Sequence, residues 1–466
     1  MPTISSGINI SLQGVLANSQ AMEITDHNVS NANTPGYHRQ LAVLTASPPL
    51  TAEGIDHGLE AGQQGTGVTV ESIQRFSLSF YDDRYRTASA KTSNWQAQSD
   101  GLDQLESTLA ETSTGGLIPQ MDQFWAGWQG LAADPSNSSL RSQLLNTASA
   151  VSSAFNSRAT QLTQLQNDQN SAIVQNVAAI NSAAGQVAVL NGQIAQSLSD
   201  GQQPNDLLDK RDQLLDQLAQ VSGAVSSVQK NGEVSVFIGG HVLVSDTNAI
   251  SLQTQPKAAS SLSDIIWQGG QKFIPSSGTL AGELQVRDVE IPNQLAGLDT
   301  LANAFATQVN TLHKTGYGLN DAHGLDMFTG TTAATIKVNT NLDADSIGTS
   351  DTVGQPGNNI IANQIAQLKS ATVLNGNTKT LDDFYNAQVT DLATKTQDAG
   401  NNSTQGDQIT QALDDQRQSL SGVSLNEEAA NLAKYQQAYQ ACARMMTAFD
   451  QLLNTIINNM GLVGRG

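Results

Sequence analysis

The chain has 466 residues, room for about two to four domains, with 38% hydrophobic but only 14% charged residues and a formal net charge of -20. An acidic surface repels phosphate backbones and anionic headgroups, and no basic stripe offsets it, so neither nucleic acid nor membrane is a predicted partner. The single cysteine, Cys442, excludes an internal disulfide and a cysteine-rich metal site.

The opening MPTISSGINISLQGVLANSQ has spaced rather than continuous apolar residues, and the first Lys or Arg is Arg39, so it does not read as a cleaved secretion signal. No window approaches the roughly 18 apolar residues of a membrane span. Ile8, Val15, Met22 and Val29 fall seven apart, with Leu12 and Leu16 widening the stripe, which predicts a helix with a narrow apolar seam. The helix is expected to stop in HNVSNANTPGYHRQ, where Asn28, Asn31 and Asn33 favour turns over helix interior. Thr34-Pro35-Gly36-Tyr37 suits a type II turn, since Pro fixes φ at the second position and Gly tolerates positive φ at the third. Pro48 to Gly67 reads as a loop or irregular hairpin.

A long helical region follows, from about Leu78 to Leu218, with breaks at Gly115-Gly116, at Asp134-Pro135 and near Gly201 to Pro204. The period then switches to two. Asn231-Gly232 is the strongest hairpin signal, suited to a type I′ turn, with Val225 and Val228 before it and Val234, Val236 and Ile238 alternating after it. Val221 to Leu280 reads as a small β domain inserted between helices. Helical spacing returns from Leu284 to His313, a looser polar segment from Gly316 to about Gly357 has room for a short β excursion, and helices resume from Ile360 to Leu420 with an interruption near Asn375.

The last helix has the clearest pattern. Ser424 and Glu427 form a predicted capping box, and neither Pro nor Gly interrupts Leu425 to Met460. Leu425, Leu432, Tyr439, Met446, Leu453 and Met460 repeat every seven residues, with Tyr435, Cys442, Phe449, Ile456 and Val463 three further on. At about 1.5 Å per residue such a helix extends on the order of 54 Å. Its flanks are alanine-rich and poor in charge, so it expects neighbours on several faces. Ordering a residue costs about 1–2 kcal/mol, against about 1.5–3 returned by burying a large apolar side chain. A lone pair of terminal helices is therefore marginal, and both ends are expected to be mobile in an isolated chain and to order against neighbouring copies. The residues expected at that subunit interface are Ile8, Val15, Met22, Val29, Leu425, Leu432, Tyr435, Tyr439, Cys442, Met446, Phe449, Leu453, Ile456 and Met460.

Signals for catalysis are weak. The histidines His27, His38, His57, His241, His313 and His323 show no HExxH or other metal-ligand spacing, and His313 reads as a helix cap or flank. Asp82-Asp83, Asp382-Asp383 and Asp414-Asp415 point apart on a helix and read as solvated surface. The cluster Asp209-Lys210-Arg211-Asp212 reads as a solvated face with weak ion pairs. There is no G-x-S-x-G elbow or Walker loop, and Gly239-Gly240 reads as a strand connection. No catalytic residue, metal or cofactor is predicted.

Two segments carry a family resemblance. GVLANSQAMEITDHNVSNANTPGYHRQ resembles the N-terminal signature of flagellar rod, hook and hook-associated proteins, and SGVSLNEEAANLAKYQQAYQACARMMTAFDQLLNTIINNM resembles their C-terminal signature. PNDLLDKRDQLLDQLAQVSG, NGEVSVFIGGHVLV and GLIPQMDQFWAGWQGLAADPSNSSLRSQLL resemble the central blocks of the hook-associated protein 1 family, with Phe124, Trp125, Trp128, Pro135 and Arg141 matching its pattern. SGTLAGELQVRD and QVNTLHKTGYGLN also match. Cys442 stands where a small non-cysteine residue is usual, and the β portion is short. The resemblance implies a secreted, extracellular subunit at the hook–filament junction of the bacterial flagellum, polymerising through its terminal helices and passing through the flagellar type III export pathway without a cleaved signal. The implied partners are further copies of itself, the hook protein, a second junction protein and an export chaperone on the C-terminal helix. A hook or rod subunit is the alternative within the class, and a secreted hydrolase the alternative outside it.

The predicted fold is mainly α with inserted β. Residues 1–38 and 421–466 form discontinuous terminal coiled-coil helices, 39–220 and 283–420 a long-helix bundle domain, and 221–282 a small β outer domain, with 331–357 a short β excursion.

Overall fold

The computed structural model describes residues 4–49, 65–109, 116–258 and 261–459. The fold is mainly α with inserted β. Helix α1 spans Ile4–Ser30 and leads into an antiparallel hairpin, β1 (Gln40–Ala46) with β2 (Val68–Arg75). Four helices follow: α2 (Ser79–Leu109), α3 (Leu117–Ala133), α4 (Ser138–Ser199) and α5 (Asn205–Ser222). The breaks at Asp134-Pro135 and at Gly201 to Pro204 fall where the sequence placed them, and Gly116 is the N-cap of α3, while Gly115 lies outside the described residues. Asn137 caps α4 by accepting from Ser139 N and Leu140 N, and Gly201 takes φ +76° just past its end. Most of the loop predicted from Pro48 to Gly67 lies outside the described residues.

Six short strands then form two small sheets. β3 (Val225–Val228), β4 (Val234–Ile238), β5 (His241–Ser245) and β6 (Asn248–Ala249) pair in sequence order, and β7 (Leu252–Pro256) pairs with β8 (Ser263–Trp267). The type I′ geometry expected at Asn231-Gly232 sits elsewhere. Between β3 and β4 the loop is wider: Gln229 N–H donates to Glu233 O at 2.8 Å, and of Asn231 and Gly232 only the glycine is left-handed. The two-residue turn with positive φ at both positions is Gly239-Gly240, where Ile238 pairs with His241.

Helix α6 (Thr279–Gln285) continues through one π turn, Val286–Glu290, into α7 (Ile291–His313). Pro292 in the first turn of α7 has no N–H to donate, which accounts for the widened turn before it. The predicted β excursion over 331–357 is shifted: β9 (Phe328–Thr329) pairs with β10 (Lys337–Val338), and the rest is irregular. That segment is not loose. It buries Met327, Phe328, Ile336 and Ile347. The fully buried Arg141 donates to Pro135 O, Ile347 O and Thr349 Oγ1 at 2.7, 2.7 and 2.9 Å. His313 is likewise a buried staple rather than a cap: its Nδ1 donates to Leu325 O and its Nε2 accepts from Gly348 N. Helices α8 (Ile360–Gln367), α9 (Leu381–Ser421) and α10 (Leu425–Asn459) complete the chain. Thr380 and Asp383 form a reciprocal capping box on α9, so Asp383 is a cap rather than free surface.

α4, on the order of 93 Å long at 1.5 Å per residue, is the spine. Its first half joins α3, α7 and α8 around Phe124, Trp125, Trp128, Phe155, Phe305 and Phe328; its second half joins α5 and the sheets around Ile173, Val177, Val187, Val236, Leu243 and Trp267. One 18-residue window of this helix reaches a mean hydropathy of 1.3, more apolar than the sequence reading allowed. Its core-facing stripes explain that composition.

Candidate functional site

α1 and α10 lie antiparallel, and the line along which they touch is made of small residues. A Cβ placed on Gly7 would come 2.6 Å from the Phe449 ring, and one on Gly14 would come 2.6 Å from Cys442 Sγ. Further down, Ala21 and Ile24 meet Tyr435, and Asn28 Nδ2 donates to Glu428 Oε2 at 3.2 Å. Each step of seven along α1 is matched by a step of seven back along α10, which keeps one seam in register. Glycine and alanine let the backbones approach closely, while the α10 side chains at 435, 442 and 449 fill the space.

This seam is one residue round from the predicted line on α1. Ile8, Val15 and Met22 are half-buried beside the contact, and Val29, Leu12 and Leu16 face out, Leu16 at 55% exposure. On α10, Tyr435, Cys442 and Phe449 point to α1; Tyr439, Met446 and Leu453 are half-buried; Leu425, Leu432 and Ile456 are exposed. Met460 and Val463 lie outside the described residues. Partners expected in neighbouring copies are thus supplied in part by the other end of the same chain. What stays unpartnered is the outer surface, where Ile10, Leu16, Leu432, Met445, Leu452 and Ile457 stand exposed, Met445 at 53% and Ile457 at 68%. Such a run of large apolar side chains marks a surface built to be covered.

The base of this pair is fastened to the body by a buried polar clasp. Asn28, expected to end the helix, is a connector that is 1% exposed. Its Oδ1 accepts from Gln40 N (2.9 Å) and Tyr37 Oη (2.8 Å), and its Nδ2 donates to Gln40 O (2.7 Å). The turn that follows is as predicted: Gly36 has φ +74° and Tyr37 N donates to Thr34 O at 3.2 Å. Arg39 Nε reaches the buried Glu428 (2.7 Å) and its Nη1 reaches Glu427 (2.6 Å), so the Glu427 carboxylate serves the clasp, while its amide donates to Ser424 Oγ at 3.5 Å. β1 and β2 pack Ala42, Val70 and Ile73 against Ala21, Ile24 and Tyr435.

A second layer runs into α2, α5 and α9. Asp209 accepts from His38 Nδ1 (2.8 Å) and Arg75 Nε (2.6 Å); Asp212 accepts from Arg75 Nη2 (2.6 Å) and Arg86 Nη2 (3.1 Å); Asp216 accepts from Arg86 Nε (2.6 Å) and Arg417 Nη1 (2.7 Å). Arg417 also pairs with Asp414 and lies over the Tyr85 ring at 4.0 Å. The Asp209-Lys210-Arg211-Asp212 run is therefore no solvated face: Asp209 and Arg211 are buried, and Arg211 donates to Gly232 O and Asn191 Oδ1. Asp82 is buried under Arg417 while Asp83 is exposed, so of that pair only the second is surface. Burial pushes the Asp212 carboxyl up, but Arg75 and Arg86 outweigh it and hold the group below the usual carboxylate range. Its stabilisation is complete above the ordinary carboxylate pKa and is lost as pH falls through the depressed value. Burial pushes the Asp82 carboxyl up, with the Asp212 charge adding to it. Burial pushes the Tyr37 phenol up as well, helped by Asp206, Asp209 and Glu428.

The clasp residues Arg75, Arg86, Asp216, Arg417 and Glu428 escaped sequence reasoning. A signal was present: Asp209, Asp212 and Asp216 share one face of α5 in a chain where only 14% of residues are charged. Acids so aligned in a charge-poor protein call for cations from elsewhere.

Comparison with known proteins agrees with this architecture. Residues 102–328 match the family described as the flagellar hook-associated protein FlgK helical domain, and residues 415–460 match the flagellar basal body rod FlgEFG protein C-terminal family. Flagellar hook-associated protein 1 of Bacillus subtilis is 29% identical over 516 aligned positions covering all of both chains. That of Escherichia coli is 26% identical over 554 positions, 98% of this chain and all of its own. These spans exceed 466 residues, so the relatives carry segments this chain lacks. A solved structure titled as the flagellar hook junction protein FlgK from Burkholderia pseudomallei shares the fold, with a TM-score of 0.65 over 73% of this chain and all of that one at 16% identity. With a central helical match, a rod-type C-terminal match and end-to-end alignment to these relatives, the chain belongs to the flagellar hook-associated protein 1 family.

Proposed function

We propose that this protein is a structural subunit of the junction between flagellar hook and filament, assembling by contact between the terminal helices of successive copies. One observation carries the reading: α1 and α10 touch through Gly7, Gly14 and Ala21, while large apolar side chains of both helices face outward. A helix pair closing a core for itself alone would put its large side chains inside. The outer faces are the sites for neighbouring copies, for the hook protein below and a second junction protein above, and for an export chaperone on α10 before assembly. The protein acts outside the cell after type III export and needs no catalytic group. Residues 1–38 and 421–466 act as the assembling unit, 39–220 and 283–420 as the helical body, and 221–282 as the outward β part, with the β1–β2 hairpin and clasp at the joint. The central helical match favours this role over that of a hook or rod subunit.

The test replaces Leu432 and Met445, both exposed on α10, by Asp. Surface substitutions of this kind shift monomer stability by about 0.5 kcal/mol or less, so circular dichroism and melting stay close to wild type. Cells carrying the double variant are expected to make hooks without filaments. Normal filaments would remove the basis of the proposal.

A further inference from the structure

Residues 314–350 form a strap that leaves α7 after His313, passes along α4 through β9 and β10, and returns to its starting point. There the two arms meet, and Tyr317 N donates to Ser350 O at 2.8 Å. The crossing is tight: a Cβ on Gly316 would come 2.9 Å from the Gly348 backbone, and one on Gly348 would come 3.0 Å from His313 O. One imidazole holds both arms. His313 is 1% exposed; its Nδ1 donates to Leu325 O at 2.7 Å on the outgoing arm, and its Nε2 accepts from Gly348 N at 3.1 Å on the returning arm. This pattern uses the neutral ring, with the hydrogen on Nδ1 and the lone pair on Nε2. A second proton would sit on Nε2 and face the Gly348 N–H, two donors with no acceptor between them.

The surroundings oppose a charged ring as well. From α4 comes the buried Arg141, a cation that grips the same returning arm at Ile347 O and Thr349 Oγ1. From α3 comes the uncharged Trp128 ring, 6.3 Å away. Within the strap, Asp326 favours the imidazolium, but its partly exposed carboxylate is paired with Lys314 at 2.9 Å. Asp321, His323, Lys337, Asp343 and Asp345 are exposed, and the charge of Asp345 acts on Arg141. Burial holds the imidazole below its ordinary value of 6.5, against the Leu325 hydrogen bond and Asp326, with Arg141 adding to burial. We propose that His313 is an acid-released latch, whose protonation at Nε2 by solvent frees the strap from the body. The bond lost is the one from Gly348 N. With the returning arm released, Ile361 N at the start of α8 loses Thr349 O, and Met327, Phe328, Ile336 and Ile347 are uncovered. Because the folded value is depressed, the latch is fully closed above pH 6.5 and weakens as pH falls below it, by up to about tenfold per pH unit for one proton.

The latch belongs to the body and stands apart from the assembly of the terminal helices. Hydrogen exchange of the full-length protein, read by mass spectrometry and corrected for intrinsic rates, reports on each arm. Between about pH 7.5 and about pH 5, amides of residues 316–326 and 344–350 are expected to lose about tenfold or more of their protection, while β4 and α5 keep theirs. His313→Gln is neutral throughout and should abolish that loss. His323→Gln, which removes the exposed histidine of the same strap, should leave it in place. Should His313→Gln fail to fold, the wild-type profile decides, because the loss must begin near pH 6.5 and in the arms. Protection that stays flat to about pH 5 overturns the latch, and so does a loss that persists in folded His313→Gln. A loss that begins only below about pH 4.5, together with the terminal pair, also overturns it and assigns the acid sensitivity to carboxylates.

Discussion

The terminal pair and the helical body solve the same packing problem in opposite ways. In the body, α3, α4 and α7 bury Trp125, Trp128, Phe124, Phe155 and Phe305 at 1% exposure or less, with Phe305 in ring contact with both Phe124 and Trp125. That core is closed within one chain, and each such aromatic contributes about 3–5 kcal/mol against truncation. In the terminal pair the inner line on α1 is Gly7, Gly14 and Ala21, set against Tyr435, Cys442 and Phe449 of α10, and large aliphatic side chains such as Leu16, Met445 and Ile457 stand outside. Small residues bury little area, so the pair gains close backbone approach but little hydrophobic stabilisation of its own. The body is finished as a monomer. The ends are shaped as a monomer, and their outer faces are left open to the assembly proposed above.

The clasp joins these two regimes, and cutting it gives the largest effect expected. Asp209 is buried with His38 and Arg75 as partners, so Asp209→Ala leaves a guanidinium with one fewer counterion in a largely dry site, at a cost of about 3–5 kcal/mol. The loss falls on the joint rather than on either core. Calorimetry should show one transition in wild type splitting into an early step for the terminal pair and a nearly unchanged step for the body, with faster amide exchange in α1. A single unshifted transition would mean that the two regions are held together by something other than these charges.

How far the sequence disclosed this arrangement follows from where periodicity operates. The long helices and their breaks were legible because Asp134-Pro135 and Gly201 to Pro204 interrupt otherwise regular apolar spacing. The α10 line Tyr435, Cys442, Phe449 was legible too. The matching α1 line was not, because a reading that looks for large residues selects Ile8, Val15 and Met22, whereas close approach selects their neighbours Gly7, Gly14 and Ala21. The clasp was hidden for another reason. Its acids sit together on α5, but Arg75, Arg86 and Arg417 arrive from three other elements, and no local pattern pairs residues so far apart. The segment after His313 has no period, and its order comes from buried partners: Arg141 donates to Ile347 O and Thr349 Oγ1, His313 bridges Leu325 O and Gly348 N, and Met327, Phe328 and Ile336 are buried.

Gly14 offers a smaller and more local test. Gly14→Ala gains about 1 kcal/mol of helix propensity but drives a methyl to 2.6 Å from Cys442 Sγ, an overpacking cost of about 1–3 kcal/mol. The net expectation is a loss of up to about 2 kcal/mol, arising in the terminal pair. With Cys442→Ala the sulfur is gone and the nearest atom of residue 442 is its Cβ at 3.4 Å, so in that background Gly14→Ala should become neutral or stabilising. Additive losses in denaturant melts of the four proteins would refute the close-packed seam. The smallest effect belongs to the body. Glu283, buried between α4 and α6 with Asn176 donating to both its oxygens, is pushed by burial from 4.5 to about 6. Because the folded value is raised, its contribution is complete below about pH 4.5 and is lost as pH rises through 6. Glu283→Gln stays neutral throughout but returns only one acceptor to Asn176, so it should stabilise the body by about 1 kcal/mol above pH 6 and change little near pH 4. In the Asp209→Ala background, where the two steps separate, the same melts should leave the early step of the terminal pair unmoved at every pH, since Glu283 touches neither α1 nor α10; a shift there would show that body and ends still melt as one unit after the clasp is cut.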